Sequence, residues 1–383
     1  MKILYYTIAK VSAKFFTPFI EALSNDGHTV VIARNPSAAA LREHAPDLIV
    51  TTSSDVRHAD LANRPWLLDE TGIPYMTVWF QTPLRSLPLL RGMSSLHRGM
   101  LLPDSTDTAT LRSLGFDRSF YFPISWWVDT ACFRPLPPEA RLQHEVAWDC
   151  TFQPLSLVLH KIEEQYRGSG LSAVFQQAKR ELEENLGRYL CPFEMLRRIP
   201  ELDIWSRDFQ ELYNTIFTLQ KAIDRHYVIR TLRTRAIRLT IYGGFSIDHN
   251  RVNYNHTIVP PPGVTIHDYI DTFTELPKLY ASSTILLSRM MYPSGVHDRL
   301  FCAAATKGFV LSEWKDDAAR AFEPGKEIIM YRDTGELPDL IRYYLAHDGE
   351  RRKIAEAAHR RFLAEHTPLH RAREFIAIAQ GLL

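Results

Sequence analysis

The chain has 383 residues, of which 45% are hydrophobic and 23% charged, and its formal net charge is +1. These ordinary globular values exclude disordered and fibrous classes, and the length predicts two domains. The small net charge gives no global attraction to nucleic acid or acidic membranes, although a local patch would still provide one. No apolar run approaches the roughly 20 residues that span a bilayer. Lys10 also interrupts an N-terminal apolar stretch that is too short for a signal peptide.

The cysteines are scattered along the chain, without a C-x-x-C pair or a cluster with histidine. They are Cys132, Cys150, Cys191 and Cys302. Disulfide frameworks and zinc sites need closer spacings, so we expect reduced, mostly buried thiols in a cytoplasmic protein. A D-x-D pair is also missing, which predicts that no catalytic metal is bound.

Short apolar runs alternate with helical patterns through the first third of the chain. The predicted strands cover residues 2–8, 28–33, 47–51, 75–80, 98–102 and 118–122. Residues 15–27 and 105–115 are typical of helices that end at a glycine. Buried parallel strands have such short runs, bounded by Gly, Pro or Asp. Residues 1–122 are therefore predicted to form a parallel, doubly wound sheet.

The chain then changes character. "FPISWWVDTACFRPLPP" (122–138) carries four prolines and tandem tryptophans, which predicts an interdomain linker over 123–137. A second α/β domain is predicted over 138–367, and a C-terminal helix over 368–383. The strand patterns of this second domain lie at 146–152, 239–244, 264–270, 284–288 and 327–331. Between its first two strands, the charged, helix-rich segment 157–238 predicts a helical insertion.

Two such domains predict a ligand cleft between the carboxyl ends of their sheets. The stretch "PSGVHDRLFCAAATKGFVLS" (293–312) places a Ser-Gly turn before an alanine-rich helix and a strand. Helix N-termini attract phosphate, and a glycine lets a ligand approach the backbone. Ser294, Gly295 and Arg299 are therefore candidate diphosphate ligands. The alternative is an ordinary Ser294 cap followed by an exposed arginine.

From Asp268 to about Arg373 the chain resembles the C-terminal domain of GT-B glycosyltransferases, specifically the CgeB-like, spore-maturation group of bacterial enzymes. The matching stretches are "ELPKLYASSTILLS", "SGVHDRLFCAAATKGFVLSEWKDD", "AFEPGKEIIMYRD", "ELPDLIRYYLAHDGERRKIAEAAHRR" and "EHTPLHRA". A weaker resemblance covers "GHTVVIA", "PDLIV", "DSTDTATLRSLGF" and the hinge-like "FPISWWVDTACFRP". The helical insertion has hardly any counterpart.

The resemblance implies a GT-B fold of two Rossmann-like domains facing a central cleft, with the last helix crossing back to the first domain. It implies transfer of a sugar from a nucleoside diphosphate sugar, favouring uridine with the base left open, and no tightly bound cofactor. Ser294, Gly295 and Arg299 would hold the diphosphate. Where this chain has Cys302, related transferases usually have an acidic residue that contacts the ribose. A thiol is a weak hydrogen-bonding group, so ribose recognition is expected to differ.

Two further places are donor-side candidates. Tyr242, Gly243 and Gly244 match the end of the family's first C-terminal strand, where the backbone approaches the nucleotide; the alternative is a tight turn. Arg289 follows a predicted strand and is positioned to neutralise phosphate, although a surface arginine needs no such role.

The acceptor-side and catalytic candidates follow strands of the first domain or lie in the phosphate turn. In GT-B folds the loop after the first strand often faces the acceptor. In this chain that loop is predicted to include Lys10 and Ser12. Trp79 and Gln81 follow another strand. A transferase must take the acceptor's proton and protonate or stabilise the leaving group. The candidates for this chemistry are His97, Asp104 and, near the leaving group, His297. Each is equally compatible with a structural role.

Other functions stay open. The acceptor is a glycan, lipid, protein or nucleic acid. Cys302 and the lack of an obvious base favour a catalytically silent module that binds a nucleotide or a partner, and another sugar-nucleotide enzyme such as an epimerase is a nearer alternative. A nucleic-acid-binding, DNA-modifying protein is the third, because the insertion ends in a basic run. That run, otherwise a solvated helix face, consists of Arg225, Arg230, Arg233, Arg235 and Arg238.

Overall fold

The computed structural model describes residues 1–7, 10–34, 36–52, 68–137, 144–246, 251–252 and 259–383, with backbone alone at 10–13, 246 and 251–252. The chain divides into two compact units. Unit 1 comprises Met1–Thr130, Ser294–Phe301 and Phe362–Leu383, and unit 2 comprises Ala131–Pro293 and Cys302–Arg361. The first division lies inside the segment predicted as a linker.

Unit 1 contains a six-stranded sheet in the order β2-β1-β3-β4-β5-β6, and every neighbouring pair is parallel. The strands are β1 Lys2–Thr7, β2 Thr29–Arg34, β3 Leu48–Thr52, β4 Tyr75–Val78, β5 His97–Leu102 and β6 Ser119–Tyr121. The helices of its first 130 residues are α1 Lys10–Asn25, α2 Ala38–Glu43, α3 Leu87–Leu90 and α4 Ser105–Ser113. All six strands predicted in this part are confirmed, which supports the doubly wound prediction.

Helix α1 begins earlier than the sequence predicted. It starts at Lys10, whereas the apolar pattern placed the first residue at Phe15. The segment from Lys10 to Lys14 contains neither glycine nor proline, so nothing in it stops the helix from extending. Lys10 and Ser12 therefore lie in the first part of α1, not in a loop after β1.

The tandem tryptophans belong to the core of unit 1. Trp126 and Trp127 lie in a short 3₁₀ helix, Ile124–Trp127, and are 1% and 2% exposed. Trp126 packs on Phe16 with ring centroids 4.5 Å apart, and Trp127 packs edge-on against Phe15 at 5.0 Å. The proline-rich composition predicted irregular chain here, but aromatic burial orders it.

The last helix also packs into unit 1. Helix α14, Pro368–Gln380, buries Phe375, whose ring meets Phe19 of α1 edge-on at 5.5 Å. At the surface, Arg373 Nε lies 2.9 Å from Asp26 Oδ1. Unit 1 is thus assembled from the two ends of the described chain and a short stretch between them.

Unit 2 contains a second six-stranded sheet, with neighbouring pairs parallel, in the order β11-β8-β7-β12-β13-β14. Its strands are β7 His144–Asp149, β8 Leu239–Tyr242, β11 Val264–His267, β12 Ser283–Ser288, β13 Val310–Glu313 and β14 Ile329–Tyr331. A separate two-stranded pairing joins β9 Phe245–Ser246 to β10 Arg251–Val252. Strand order reverses between β7 and β12, as in dinucleotide-binding folds, where ligands bind beyond the carboxyl ends of the strands.

Helices fill the rest of unit 2. The predicted insertion consists of α5 Leu155–Tyr166, α6 Ser172–Glu184, α7 Pro192–Leu196 and α8 Arg207–Thr234. Then come α9 Leu276–Ser282, α10 Asp298–Ala305, α11 Asp316–Ala321, α12 Leu337–Ala346 and α13 Asp348–Glu365, and α10 passes from unit 1 into unit 2. Within the described ranges, every helix falls short of the length and apolarity that crossing a bilayer requires.

Because Phe375 fills the core between α14 and α1, we expect Phe375→Ala to lower the free energy of unfolding by about 3–5 kcal/mol. Arg373→Ala, which removes an exposed ion pair on the same helix, should cost less than about 1 kcal/mol. Urea denaturation followed by circular dichroism measures both. Equal effects of the two substitutions would contradict the packing of α14 in unit 1.

Candidate functional site

Arg289 follows β12 but faces inward. Its side chain is 4% exposed, and Nε donates to both carboxylate oxygens of Asp224 at 2.6 Å. Nη1 donates to Thr334 Oγ1 at 3.1 Å, and Nη2 donates to Gly187 O at 2.9 Å. Burial opposes the guanidinium charge, but Asp224 leads the anionic groups that raise its pKa above the ordinary value. Arg289 therefore ties the insertion to the sheet, and its phosphate role stays a prediction.

A second buried cation, missed in the sequence, lies beside Arg289. Lys315 follows β13; its Nζ is 3.5 Å from Glu313 Oε1 and 4.9 Å from the centre of the Tyr189 ring. Burial lowers the pKa of Lys315 although Glu313 opposes that shift. Charged residues directly after a buried strand, here "EWK", were the signal that could have pointed to it.

The Tyr242–Gly244 turn packs tightly against the chain after β7. A Cβ on Gly243 would lie 2.6 Å from Cys150 O, and Gly243 and Gly244 have φ angles of 143° and 63°. Both glycine N–H groups donate to His267 O, at 3.2 and 2.9 Å. The Tyr242 ring stacks on His267 at 4.6 Å. Close packing accounts for Gly243 and a positive φ for Gly244, so nucleotide contact stays a prediction for this turn.

The predicted phosphate turn is held by Asp104. The N–H groups of Ser294 and Gly295 donate to Asp104 Oδ2 at 2.8 and 2.5 Å, and the hydroxyl oxygens of Ser294 and Thr106 are 2.6 Å apart. Asp104 is fully buried. The structure thus brings Asp104, a catalytic candidate, together with Ser294 and Gly295, which were candidate diphosphate ligands. Both amides predicted to hold phosphate already have an anionic acceptor, so their donor role stays a prediction.

His297 and Arg299 lie just after this contact and are half-buried. Arg299 N donates to His297 Nδ1 at 3.3 Å, and Arg299 Nη1 lies 3.3 Å from His297 Nε2. The imidazole also pairs with the adjacent Asp298. Burial alone would raise the pKa of Asp298, but His297 and then Arg299 lower it. A cation and a titratable ring therefore stand side by side at the start of α10.

Cys302 lies in α10 and is 1% exposed. Helix α10 starts at Asp298. A buried thiol on this helix packs as a small apolar group. Ribose contact by Cys302 stays a prediction.

His97 and Asp104 stand at opposite ends of β5. His97 is the first residue of the strand, and Asp104 follows its carboxyl end. At about 3.3 Å per residue, the strand separates them by roughly 17 Å or more. Burial lowers the pKa of His97 to about 4. His97 Nε2 lies 3.1 Å from Thr77 Oγ1, which also accepts a hydrogen bond from Trp79 Nε1 at 2.9 Å.

The acceptor-side candidates lie in different surroundings. Trp79 is 2% exposed, whereas Gln81 is exposed and its Oε1 accepts from Arg85 Nη1 at 2.6 Å. The side chains of Lys10 and Ser12 lie outside the described residues. Acceptor contact stays a prediction for all four candidates.

The arginine run at the end of the insertion does not form one continuous solvated face. Arg225 is 9% exposed and donates to Thr151 O and to Gln153 Oε1, the latter at 3.3 Å. The other members are exposed: Arg230, Arg233, Arg235 and Arg238. Burial lowers the pKa of the neighbouring His226, with a further contribution from Arg230.

A cavity of about 370 Å³ opens near the amino end of β12, at the edge of the sheet opposite Arg289. Its cations already have carboxylate partners: Lys307 pairs with Glu356, and Arg351 and Arg352 pair with Asp348. Within the described part of the chain, no three His, Cys, Asp or Glu side chains group in a way that could hold a metal ion.

Residues 225–377 match the family model described as glycosyl transferase-like, a span that is less than half of the chain. No curated protein matches. The matched span includes 268–373, where the sequence resembled GT-B enzymes, and it extends through α9–α13 into α14.

Several solved structures share the fold. Anabaena HepE in complex with UDP and glucose aligns with a TM-score of 0.57 at 12% identity, covering 100% of both chains. The DNA-modifying β-glucosyltransferase, solved with and without uridine diphosphoglucose, aligns with a TM-score of 0.57 at 12% identity over 99% of both chains. Sucrose-phosphate synthase from Thermosynechococcus elongatus aligns at 0.52 and 10% identity, covering 100% of this chain and 99% of its own. Such likenesses show the fold, which is GT-B with two Rossmann-like domains.

Removing one member of a buried ion pair leaves the other uncompensated. We expect Arg289→Leu to lower the free energy of unfolding by about 3–5 kcal/mol, measured by urea denaturation. The double variant Arg289→Leu/Asp224→Leu should be more stable than Arg289→Leu. A single variant as stable as the wild type would contradict the role of Arg289 as a buried link.

His97 predicts a pH dependence of stability. Because its folded-state pKa is about 4, below the ordinary 6.5, the unfolded chain takes up the proton first as pH falls. Above pH 6.5 the protonation of His97 does not affect the free energy of unfolding. As pH drops from about 6.5 toward about 4, that free energy falls by up to about 3 kcal/mol. His97→Gln should flatten this part of the profile in urea titrations at several pH values, whereas His44→Gln, at an exposed position, should leave it unchanged.

Proposed function

We propose that the chain is a glycosyltransferase that moves a sugar from a nucleoside diphosphate sugar to an acceptor. One observation carries this proposal: the glycosyl transferase-like match at 225–377 includes five strands, β8 and β11–β14, of the six-stranded unit 2 sheet, whose strand order is that of dinucleotide-binding folds. The match also contains Arg289, His297 and Arg299. Catalytic groups for sugar transfer are therefore proposed on the chain between β12 and α10.

We propose a uridine diphosphate sugar as donor, taken up as a co-substrate and not held as a cofactor. The structures of Anabaena HepE and of β-glucosyltransferase were solved with UDP, UDP-glucose or both, and this chain shares their fold. We further propose membership of the CgeB-like group, which rests on the motifs between 268 and 373. The four cysteines, all within the described residues, form no disulfide, which supports a cytoplasmic location.

Arg299 is proposed to act on the leaving group. In the transfer, the bond between the anomeric carbon and the diphosphate oxygen breaks, and its electron pair stays on the diphosphate. A guanidinium stabilises that developing charge without a metal ion. We propose that His297, beside Arg299, gives a proton to the same oxygen.

The acceptor hydroxyl forms the new bond to the anomeric carbon and gives up its proton. Of the two candidate bases, His97 is neutral near pH 7, because burial lowers its pKa to about 4. Asp104 accepts three backbone N–H groups, from Asp107, Ser294 and Gly295. Both carboxylate oxygens of Asp104 are therefore already occupied by backbone donors.

Thermal shift in the presence of UDP tests the donor site. A ligand that binds the folded protein raises the melting temperature, by several °C at a hundredfold excess over Kd. We expect Arg299→Ala to abolish most of this shift. Arg167→Ala, which removes an exposed arginine from an ion pair at the end of α5, should leave it intact. An undiminished shift in Arg299→Ala would refute the diphosphate role of Arg299.

Hydrolysis of UDP-glucose without acceptor separates the enzyme from a silent binding module. Slow release of UDP, lost in Arg299→Ala, is the result expected of a transferase. A shift by UDP without any release from a panel of UDP-sugars would favour the silent module.

A further inference from the structure

The contact between Asp104 and the segment before α10 is built from both sides. Asp104 Oδ1 caps α4 by accepting from Asp107 N at 2.7 Å, which leaves Oδ2 for the N–H groups of Ser294 and Gly295. The backbone oxygen of Asp104 accepts from Thr108 N at 3.1 Å and from Thr108 Oγ1 at 2.7 Å. The carboxylate is therefore held by α4 as well as by the distant segment.

Gly295 allows this contact by its lack of a side chain. A Cβ at this position would lie 2.8 Å from Pro103 O and 2.9 Å from Asp104 Oδ2, closer than non-bonded atoms approach. A side chain at this position would collide with its neighbours. The backbone of Pro103 cannot move aside as the end of a flexible side chain can. The glycine is thus explained by close approach to Pro103 and Asp104.

The N–H groups of Ser294 and Gly295, which a phosphate would need, are already bonded to the Asp104 carboxylate. Charge-assisted bonds from N–H groups to a carboxylate are among the stronger hydrogen bonds, and Asp104 is fully buried. A phosphate at the same amides would have to displace that carboxylate and approach its charge. Further candidates on the same segment are the side chains of His297 and Arg299, two and four residues beyond Gly295.

We propose that Asp104 is a positioning residue for the donor site: it anchors the backbone of Ser294 and Gly295 and thereby sets where His297 and Arg299 stand. This inference rests on the proposed function. It gives Asp104 a part in donor binding through the segment that it holds, in place of proton transfer.

The two roles predict different kinetics for Asp104→Asn. The amide has one acceptor oxygen and a donor NH₂ group, so it cannot accept from both Asp107 and the Ser294–Gly295 pair. For a positioning residue, the Kd of UDP and the KM of UDP-glucose in donor hydrolysis should each rise about tenfold or more, with kcat changed less. For a catalytic base, kcat in transfer would fall by 10²–10⁴-fold with the Kd of UDP unchanged.

Gly295→Ala disturbs the same contact from the other side and remains informative if Asp104→Asn folds poorly. We expect it to raise the Kd of UDP as Asp104→Asn does, and the double variant to add little, since both remove one interaction. Ser37→Ala removes the cap of α2 in the same unit and should bind UDP like the wild type. Amide hydrogen exchange should show that Ser294 and Gly295 lose protection in Asp104→Asn and keep it in Ser37→Ala.

The outcomes separate the inference from the proposed function. If the wild type binds UDP and both Asp104→Asn and Gly295→Ala bind it equally well, the positioning role is overturned while the proposed function stands. Unchanged exchange at Ser294 and Gly295 in Asp104→Asn overturns the anchor itself. If the wild type binds neither UDP nor another nucleoside diphosphate, the proposed function fails and the role of Asp104 in donor binding fails with it.

Discussion

Two backbone N–H groups that lie away from water must find an acceptor, and this requirement organises the segment before α10. Ser294 and Gly295 meet it with the carboxylate of Asp104, at 2.8 and 2.5 Å. The same carboxylate caps α4, so one side chain serves a helix end and a distant loop. The geometry at His297 and Arg299 depends on this shared acceptor, because both follow the anchored backbone within four residues.

The same physical requirement explains why residues chosen as ligands turn out to be engaged elsewhere. Arg289 has acceptors from Asp224, Thr334 and Gly187, because a buried guanidinium needs several of them. The Gly243 and Gly244 amides share His267 O. A charged residue or a glycine directly after a strand marks the edge of the sheet where ligands bind. The sequence does not tell whether its polar groups face the protein interior or a ligand, because both places use the same residue types.

The fold was largely predictable from the sequence because buried parallel strands leave a local signal. Runs such as 98–102 and 284–288 lie within one residue of β5 and β12. The prediction was poorer where order comes from distant contacts: Trp126 and Trp127 are held by α1, and nothing near them in the sequence announces that burial. The joining of Asp104 to Gly295 crosses 191 positions, and no local pattern encodes such a pairing. Lys315 carried a local signal after its strand, but its contact with Tyr189 of the insertion was not predictable from that signal.

The composition of unit 1 from three separate stretches has a consequence for biosynthesis. Phe19 cannot make its contact with Phe375 until α14 has been synthesised. The residues between Thr130 and Phe362 belong mostly to the other unit. At about 5–20 residues per second, a ribosome needs roughly ten seconds to a minute to deliver the missing helix. During that interval the aromatic surface of α1 that α14 later covers faces solvent. A nascent-chain chaperone would find its binding surface there, on a domain that stays incomplete until Phe375 has been made.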